Sequence, residues 1–200
     1  MIRRPPRSTL SSSSAASDVY KRQMSAYTYY LQNKYDEAIS SAQRFISLHP
    51  GNRHAVYAYY LIGQSYYERI SDVARDQKIT DLALNSFTEV VRRYPESDYA
   101  RDAQLKIDLT RDHLAGKEMY IGRYYMKQSA FLAAINRFRY VVTEYQNTSH
   151  TPEALHRIVE GYISLGLINE AKATAAVLGY NFPDSEWYES TYDLINDFLQ

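Results

Sequence analysis

Apolar residues in this chain recur at steps of three and four, in blocks separated by short polar or proline-bearing breaks. Over 53–70, Val56, Tyr59, Tyr60, Gly63, Tyr66, Tyr67 and Ile70 fall on one helical face. Over 98–128 the stripe is narrower: Ala100, Ala103, Ile107, Thr110 and Leu114, with Ile121 and Tyr125 continuing it a heptad on. No proline or turn cluster interrupts 98–128. The pattern predicts one long helix there, about 45 Å at about 1.5 Å per residue. Gly116 is its weak point, costing about 1 kcal/mol against alanine, and a break at Ala115–Gly116 is the alternative. Ser97 is placed to cap this helix, with Asp98 favoured in its first turn by the helix dipole. Further helices are predicted to end near Gln32 and to span 35–49, 79–94, 131–145, 153–165, 168–178 and 184–198. The breaks between them are Asn33-Lys34, Pro50-Gly51-Asn52, the polar run SDVARDQ at 71–77, Pro95, Gln128-Ser129, QNTSHTP at 146–152, Gly166, and Phe182-Pro183.

One pattern repeats across these helices. From Gly122 to Tyr145, a first helix carries Gly122 and Tyr125 three apart, and a second carries Ala134 and Phe138 four apart. A small residue on each helix lets the backbones approach, and the aromatic one turn on fills the space beside that contact. Gly63 and Tyr66 followed by Ala83, Phe87 and Val90 show the same spacing. So do Tyr29 followed by Ala38, Ala42 and Phe45, and Tyr162 followed by Ala171, Ala175 and Leu178. Pro50, Pro95 and Pro183 each stand twelve residues after the small residue, and Gln146 holds that place in the remaining copy. Four agreeing registers are the signature of tetratricopeptide helix pairs. The expected fold is all-α: a tetratricopeptide superhelix (an α-solenoid) of about four helix pairs with a C-terminal helix and one long fused helix near 98–128. The small residues recur at 38, 83, 134 and 171, wider than the ideal period of about 34, so helices or connections are extended. The residues expected to carry the packing are Ala38, Gly63, Tyr66, Ala83, Phe87, Gly122, Tyr125, Ala134, Phe138, Tyr162 and Ala171. Trp187, on the last helix, suits an element covering the end of the final repeat.

Charge is balanced, with 23 basic and 23 acidic residues, which argues against nucleic-acid binding. There is no cysteine, so disulfides, cysteine metal sites and thiol nucleophiles are excluded. No apolar run approaches the length of a membrane span. Tyrosine is used 21 times and phenylalanine 6 times. A tyrosine packs its ring while its hydroxyl stays wet, which suits a shallow core.

Residues 1–23, with Pro-Pro and four serines in a row, fall outside the helical pattern. Their composition predicts disorder. The string MIRRPPRSTLSSSSAASDVYKRQ resembles a translated sequencing adaptor and is read as foreign, with a genuine disordered tail as the alternative. The repeat domain is expected over 24–200.

No catalytic constellation is evident: there is no G-x-S-x-G, phosphate loop or H-E-x-x-H. The five histidines (49, 54, 113, 150 and 156) include no i, i+4 pair, so no metal or other cofactor is expected and no enzyme activity. Tyr57 lies off the main stripe of its helix and is the tyrosine expected to be exposed. Asp102 with Lys106, and Asp108 with Arg111, read as surface ion pairs. The residues point to a module that grips other proteins.

The strings FISLHPGN (45–52), YAYYLIGQSYYERISDVARDQ (57–77), SDYARDAQLKIDLTRDHLAGKEMYIGRYYMKQSAFLAAINRFRYVVTEY (97–145), TPEALHRIVEGYISLGLINEA (151–171) and YNFPDSEWY (180–188) are more specific. Through them the chain resembles the BamD family, the tetratricopeptide lipoproteins of the outer-membrane β-barrel assembly machinery of Gram-negative bacteria, in its alphaproteobacterial form. The resemblance implies a non-catalytic scaffold at the periplasmic face of the outer membrane. The implied partners are a POTRA domain of BamA, other assembly-complex subunits and unfolded barrel substrates. Family members have five repeats and a lipidated N-terminal cysteine; this sequence shows four and none, so it is read as N-terminally truncated. Partner contacts are expected at exposed polar positions near the last connection: His150, His156 and Arg157. A cytoplasmic co-chaperone-like adaptor is the alternative, and it would show a lysine and arginine cluster gripping a C-terminal carboxylate.

Overall fold

The computed structural model describes residues 14–70 and 77–199, and the described residues are helical with no strand. They form α1 (Ser14–Leu31), α2 (Tyr35–Leu48), α3 (Ala55–Tyr67), α4 (Lys78–Arg93), α5 (Asp98–Lys127), α6 (Phe131–Glu144), α7 (Thr151–Ser164), α8 (Ile168–Asn181) and α9 (Glu186–Leu199). Residues 1–13 and most of the polar run, 71–76, lie outside the described residues. Residues 14–23 are helical, where composition predicted an irregular tail. Ala, Arg, Lys and Gln in this stretch tolerate a helix, and extending an existing helix costs far less than starting one.

The chain divides into two compact units at Thr110–Arg111, and α5 runs unbroken through the division. In the first unit α1 packs on α2, α2 on α3 and α3 on α4. Ala103 and Ile107 from the start of α5 join Ala83, Phe87 and Val90 in one core cluster. In the second unit Ala115 and Met119 from the rest of α5 meet Ala134, Ile135, Phe138 and Val141 of α6 and Ala154 and Ile158 of α7. Beyond Leu114 the buried stripe on α5 runs through Ala115, Met119 and Gly122, while Ile121 is only half-buried. The expected step to Ile121 followed a strict seven-residue repeat, and a 3.6-residue helix drifts off that repeat by about 20° per heptad.

Ala38, Ala83, Ala134 and Ala171 are fully buried, as are Phe87 and Phe138. Gly63 lies under Phe87, where an added Cβ would come within 2.7 Å of the ring. Gly122 lies under Phe138 in the same way. Tyr66, Tyr125 and Tyr162 are half-buried beside these contacts.

The turns repeat as faithfully as the packing. After α1, α5 and α7 the chain passes through a left-handed residue: Asn33 (φ 58°), Ser129 (φ 56°) and Gly166 (φ 73°). In each, the next residue's N–H returns to the carbonyl five back: Lys34 to Tyr29, Ala130 to Tyr125 and Leu167 to Tyr162. This is the Schellman closure. The helices α2, α4, α6 and α8 end on aromatic residues: His49, Tyr94, Tyr145 and Phe182. All four leave the helix with φ between −126° and −137°. Proline follows three of them and excludes the helical conformation from the residue before it. Tyr145 adopts the same geometry before Gln146, where Thr148 and Thr151 donate to its carbonyl at 2.8 and 3.1 Å.

Candidate partner-binding surface

The α6–α7 connection is tied to α5. Ser149 donates to Asp112 Oδ1 from its backbone N–H at 3.0 Å and from its hydroxyl at 2.7 Å. His150 Nε2 lies 3.7 Å from Asp112 Oδ2. The imidazole also covers Gly116, where a Cβ would come within 3.1 Å of Nε2. Gly116 is therefore a seat for His150 within an unbroken helix. Pro152 stands in the first turn of α7, where its missing N–H costs nothing.

α7 carries a charged network toward α5 and α9. Arg123 Nη1 of α5 reaches both oxygens of Glu153 at 2.9 Å. Arg157 donates to Glu160 at 2.7 Å and makes a longer contact, 3.4 Å, with Glu153. Its guanidinium lies over the Trp187 ring, 5.5 Å from the centroid. Burial would raise the Glu160 carboxyl, but the His156 imidazole 3.6 Å away and the hydrogen bond from Arg157 outweigh it and hold Glu160 below the usual range. Burial likewise works against the Arg157 charge, and Glu160 and Glu153 more than offset it.

His156 corrects an expectation. It is 6% exposed, not a surface residue, and its ring packs 5.2 Å from that of Trp187. Its Nδ1 lies 2.7 Å from Thr191 Oγ1, and the Thr191 hydroxyl donates to the Trp187 carbonyl at 2.7 Å. The hydroxyl proton is thus committed, so Nδ1–H is the donor to Thr191. Nε2 then points at Glu160, 3.6 Å away. His150 is half-buried against α5, and Arg157 is half-buried against α9. The three residues singled out in the sequence thus face two different neighbours. Glu153, Glu160, Arg123, Asp112, Trp187 and Thr191 complete the arrangement. The alternating charges at 153, 157 and 160, at helical spacing, were the signal for part of it.

In the first unit, α1, α3 and α5 meet through tyrosines. Tyr57 is 1% exposed and wedged between the rings of Tyr27 and Tyr99, at 6.3 and 5.5 Å. It is a core residue, contrary to the expected exposure, and its hydroxyl has no hydrogen-bond partner among the described residues. Tyr60 donates to Asp102, and Tyr30 donates to Glu68 at 3.0 Å. Burial first, then these carboxylates, push the Tyr60 and Tyr30 phenols well up. Lys106 sits over the Tyr67 ring at 4.6 Å, and Asp108 accepts from Gln104. The expected Asp102–Lys106 and Asp108–Arg111 pairs thus give way to these contacts. A groove of about 450 Å³ lies between α2 and α4 over α3, floored by Tyr59 and Ile62, with Gln43 and Glu89 on its walls. Glu89 is held down to about 2 by hydrogen bonds from Arg92 and Arg93.

Among the described residues there is no group of three or more His, Cys, Asp or Glu able to hold a metal, and no helix long and apolar enough to cross a membrane.

The YfiO family model, described as outer membrane lipoprotein, matches residues 13–178. The chain belongs to that family. Among its relatives is "Outer membrane protein assembly factor BamD" of Caulobacter vibrioides, 56% identical over 174 residues, covering 87% of this chain and 57% of that one. The protein of the same name in Rickettsia prowazekii is 51% identical over 175 residues, covering 88% of this chain and 70% of that one. The one in Neisseria meningitidis serogroup A is 38% identical over 170 residues, covering 80% and 64%. The chain therefore spans between 57% and 70% of the length of these relatives.

Proposed function

We propose that this chain is a non-catalytic scaffold that helps assemble β-barrel proteins and insert them into the outer membrane, working at its periplasmic face. The observation that carries this is the identity of 56% and 51% with two BamD assembly factors along nearly nine-tenths of the chain. The architecture suits the role: helix pairs that satisfy their own backbones leave side chains free to grip partners. The partners proposed are the periplasmic POTRA region of BamA, other assembly subunits and unfolded barrel substrates. The surface proposed for BamA is the α6–α7 connection with the flank of α7, where His150 and Arg157 reach the surface and buried His156 holds α9 in place behind them.

The adaptor alternative fits less well. Its carboxylate grip needs clustered lysines and arginines, whereas the row of α1, α3 and α5 carries Tyr30, Tyr60, Gln64, Glu68 and Asp102.

The test is complementation. The chain, fused to the leader and lipid-attachment segment of the Caulobacter relative, is expressed in cells depleted of that relative. Restored levels of outer-membrane β-barrels support the scaffold reading; unrestored levels, with the fusion present in the outer membrane, refute it.

A further inference from the structure

A second groove, of about 280 Å³, runs between α6 and α8 over α7. Val142, Leu155, Ile158 and Val177 give it an apolar lining, with Thr174 and Arg139 at its sides. Arg139 is exposed, and its guanidinium donates to the Tyr162 hydroxyl at 2.7 Å. Among the described residues no carboxylate pairs with it.

The α2–α4 groove shows what the repeat itself requires. Gln43 follows Ala38 by the same interval as Arg139 follows Ala134, and Glu89 follows Ala83 as Val177 follows Ala171. The two grooves are thus one site of the repeat, with different side chains. Where the first has an amide and an acid, the second has a cation and a valine. Packing does not demand Arg139, because the equivalent position does without it.

We propose that the α6–α8 groove docks an amphipathic helix of a partner protein, one that carries a carboxylate beside a short apolar ridge. At about 280 Å³ the groove falls below the usual size of small-molecule pockets, so it fits protruding side chains rather than a free ligand. The described residues have no strand, so a partner segment cannot dock here by adding to a sheet edge. A helix satisfies its own backbone and brings only its ridge. The lining residues at 139 and 142, at 155 and 158, and at 174 and 177 recur at the helical step of three that such a ridge interlocks with. The uncompensated Arg139 supplies the charge preference. The inference rests on groove chemistry and stands apart from the assembly role.

The test uses the whole chain and two synthetic helical peptides with the same leucine ridge, one flanked by glutamates and one by lysines. Fluorescence anisotropy at low salt reads affinity, and methyl NMR reads location. The glutamate peptide is expected to bind roughly two- to fivefold tighter, as one solvent-facing charge pair allows. Arg139→Gln, which installs the residue of the equivalent site, should erase that difference, and Arg139→Glu should reverse it. Methyl shifts should fall on Val142, Ile158 and Val177 and spare Ile46 and Ile62. Several results would overturn the proposal: no binding of either peptide, equal binding of both, or a preference untouched by Arg139→Gln in protein with a wild-type circular dichroism spectrum. Shifts confined to Ile46 and Ile62, or Arg139-dependent binding to anionic lipid vesicles in place of the glutamate peptide, would do the same.

Discussion

Tyr57 shows how a single side chain is governed by neighbours outside its own helix. Read along α3 alone, it falls off the apolar stripe; in the fold α1 and α5 close over it, so the stripe is only part of what is buried. Its hydroxyl is enclosed without a hydrogen-bond partner among the described residues. Burying such a group costs free energy that no hydrogen bond returns. Tyr57→Phe is therefore expected to leave stability unchanged or raise it by up to about 1 kcal/mol, read by urea unfolding; a loss of that size or more would mean the hydroxyl is satisfied after all. Ser129 carries a different strain. It holds the left-handed turn position that Gly166 fills in the next helix pair, and only glycine visits that region without penalty. Ser129→Gly should raise the melting temperature, with a gain of up to about 1 kcal/mol. Gly63 is the opposite case, because Phe87 already occupies the space a side chain would take. Gly63→Val should cost about 1–3 kcal/mol through overpacking, measured in the same unfolding experiment.

At the scale of elements, legibility followed from what the sequence repeats. Ala38, Ala83, Ala134 and Ala171 were readable because four copies agree, and the ends of α2, α4 and α8 because proline follows each. The burial of Tyr57 and His156 was not readable. Both lie on helices flanked on several sides, α3 by α1, α2 and α4, and α7 by α6, α8 and α9. Periodicity on one helix reports one face, whereas a helix enclosed all round loses that contrast. The docking of α9 on α7 was equally hidden, since it depends on His156, Thr191 and Trp187 meeting across 35 residues of chain. Thr191→Val should cost about 1–3 kcal/mol by leaving His156 Nδ1–H without its acceptor. The Trp187 fluorescence should report the loosening. Glu160 adds a pH signature. Its folded value lies below its ordinary 4.5, so its contribution is complete above that value and is lost as pH falls through the lower, folded one. Glu160→Gln should flatten the acid limb of the stability curve below about pH 4.5, and an unchanged limb would show that the α7 network carries no such linkage.

At the scale of the whole molecule, membership of the outer membrane lipoprotein family and the helix-pair fold agree on one way of working. On the reading proposed above, the chain acts through what it holds. Its affinity for a partner should reside in a few well-packed side chains, with the surrounding contacts serving mainly to exclude water. On the contact surface proposed above, the polar flank of α7, with Arg123, Glu153, Arg157 and Glu160 already interlocked, would lose little further side-chain entropy on docking. The most direct test is a calorimetric titration of this chain with the purified periplasmic region of BamA from Caulobacter vibrioides. Saturable binding at one site per chain is expected, weakened by Arg157→Ala while the helical circular dichroism is retained. Absence of any binding heat from a chain that is demonstrably folded would contradict it.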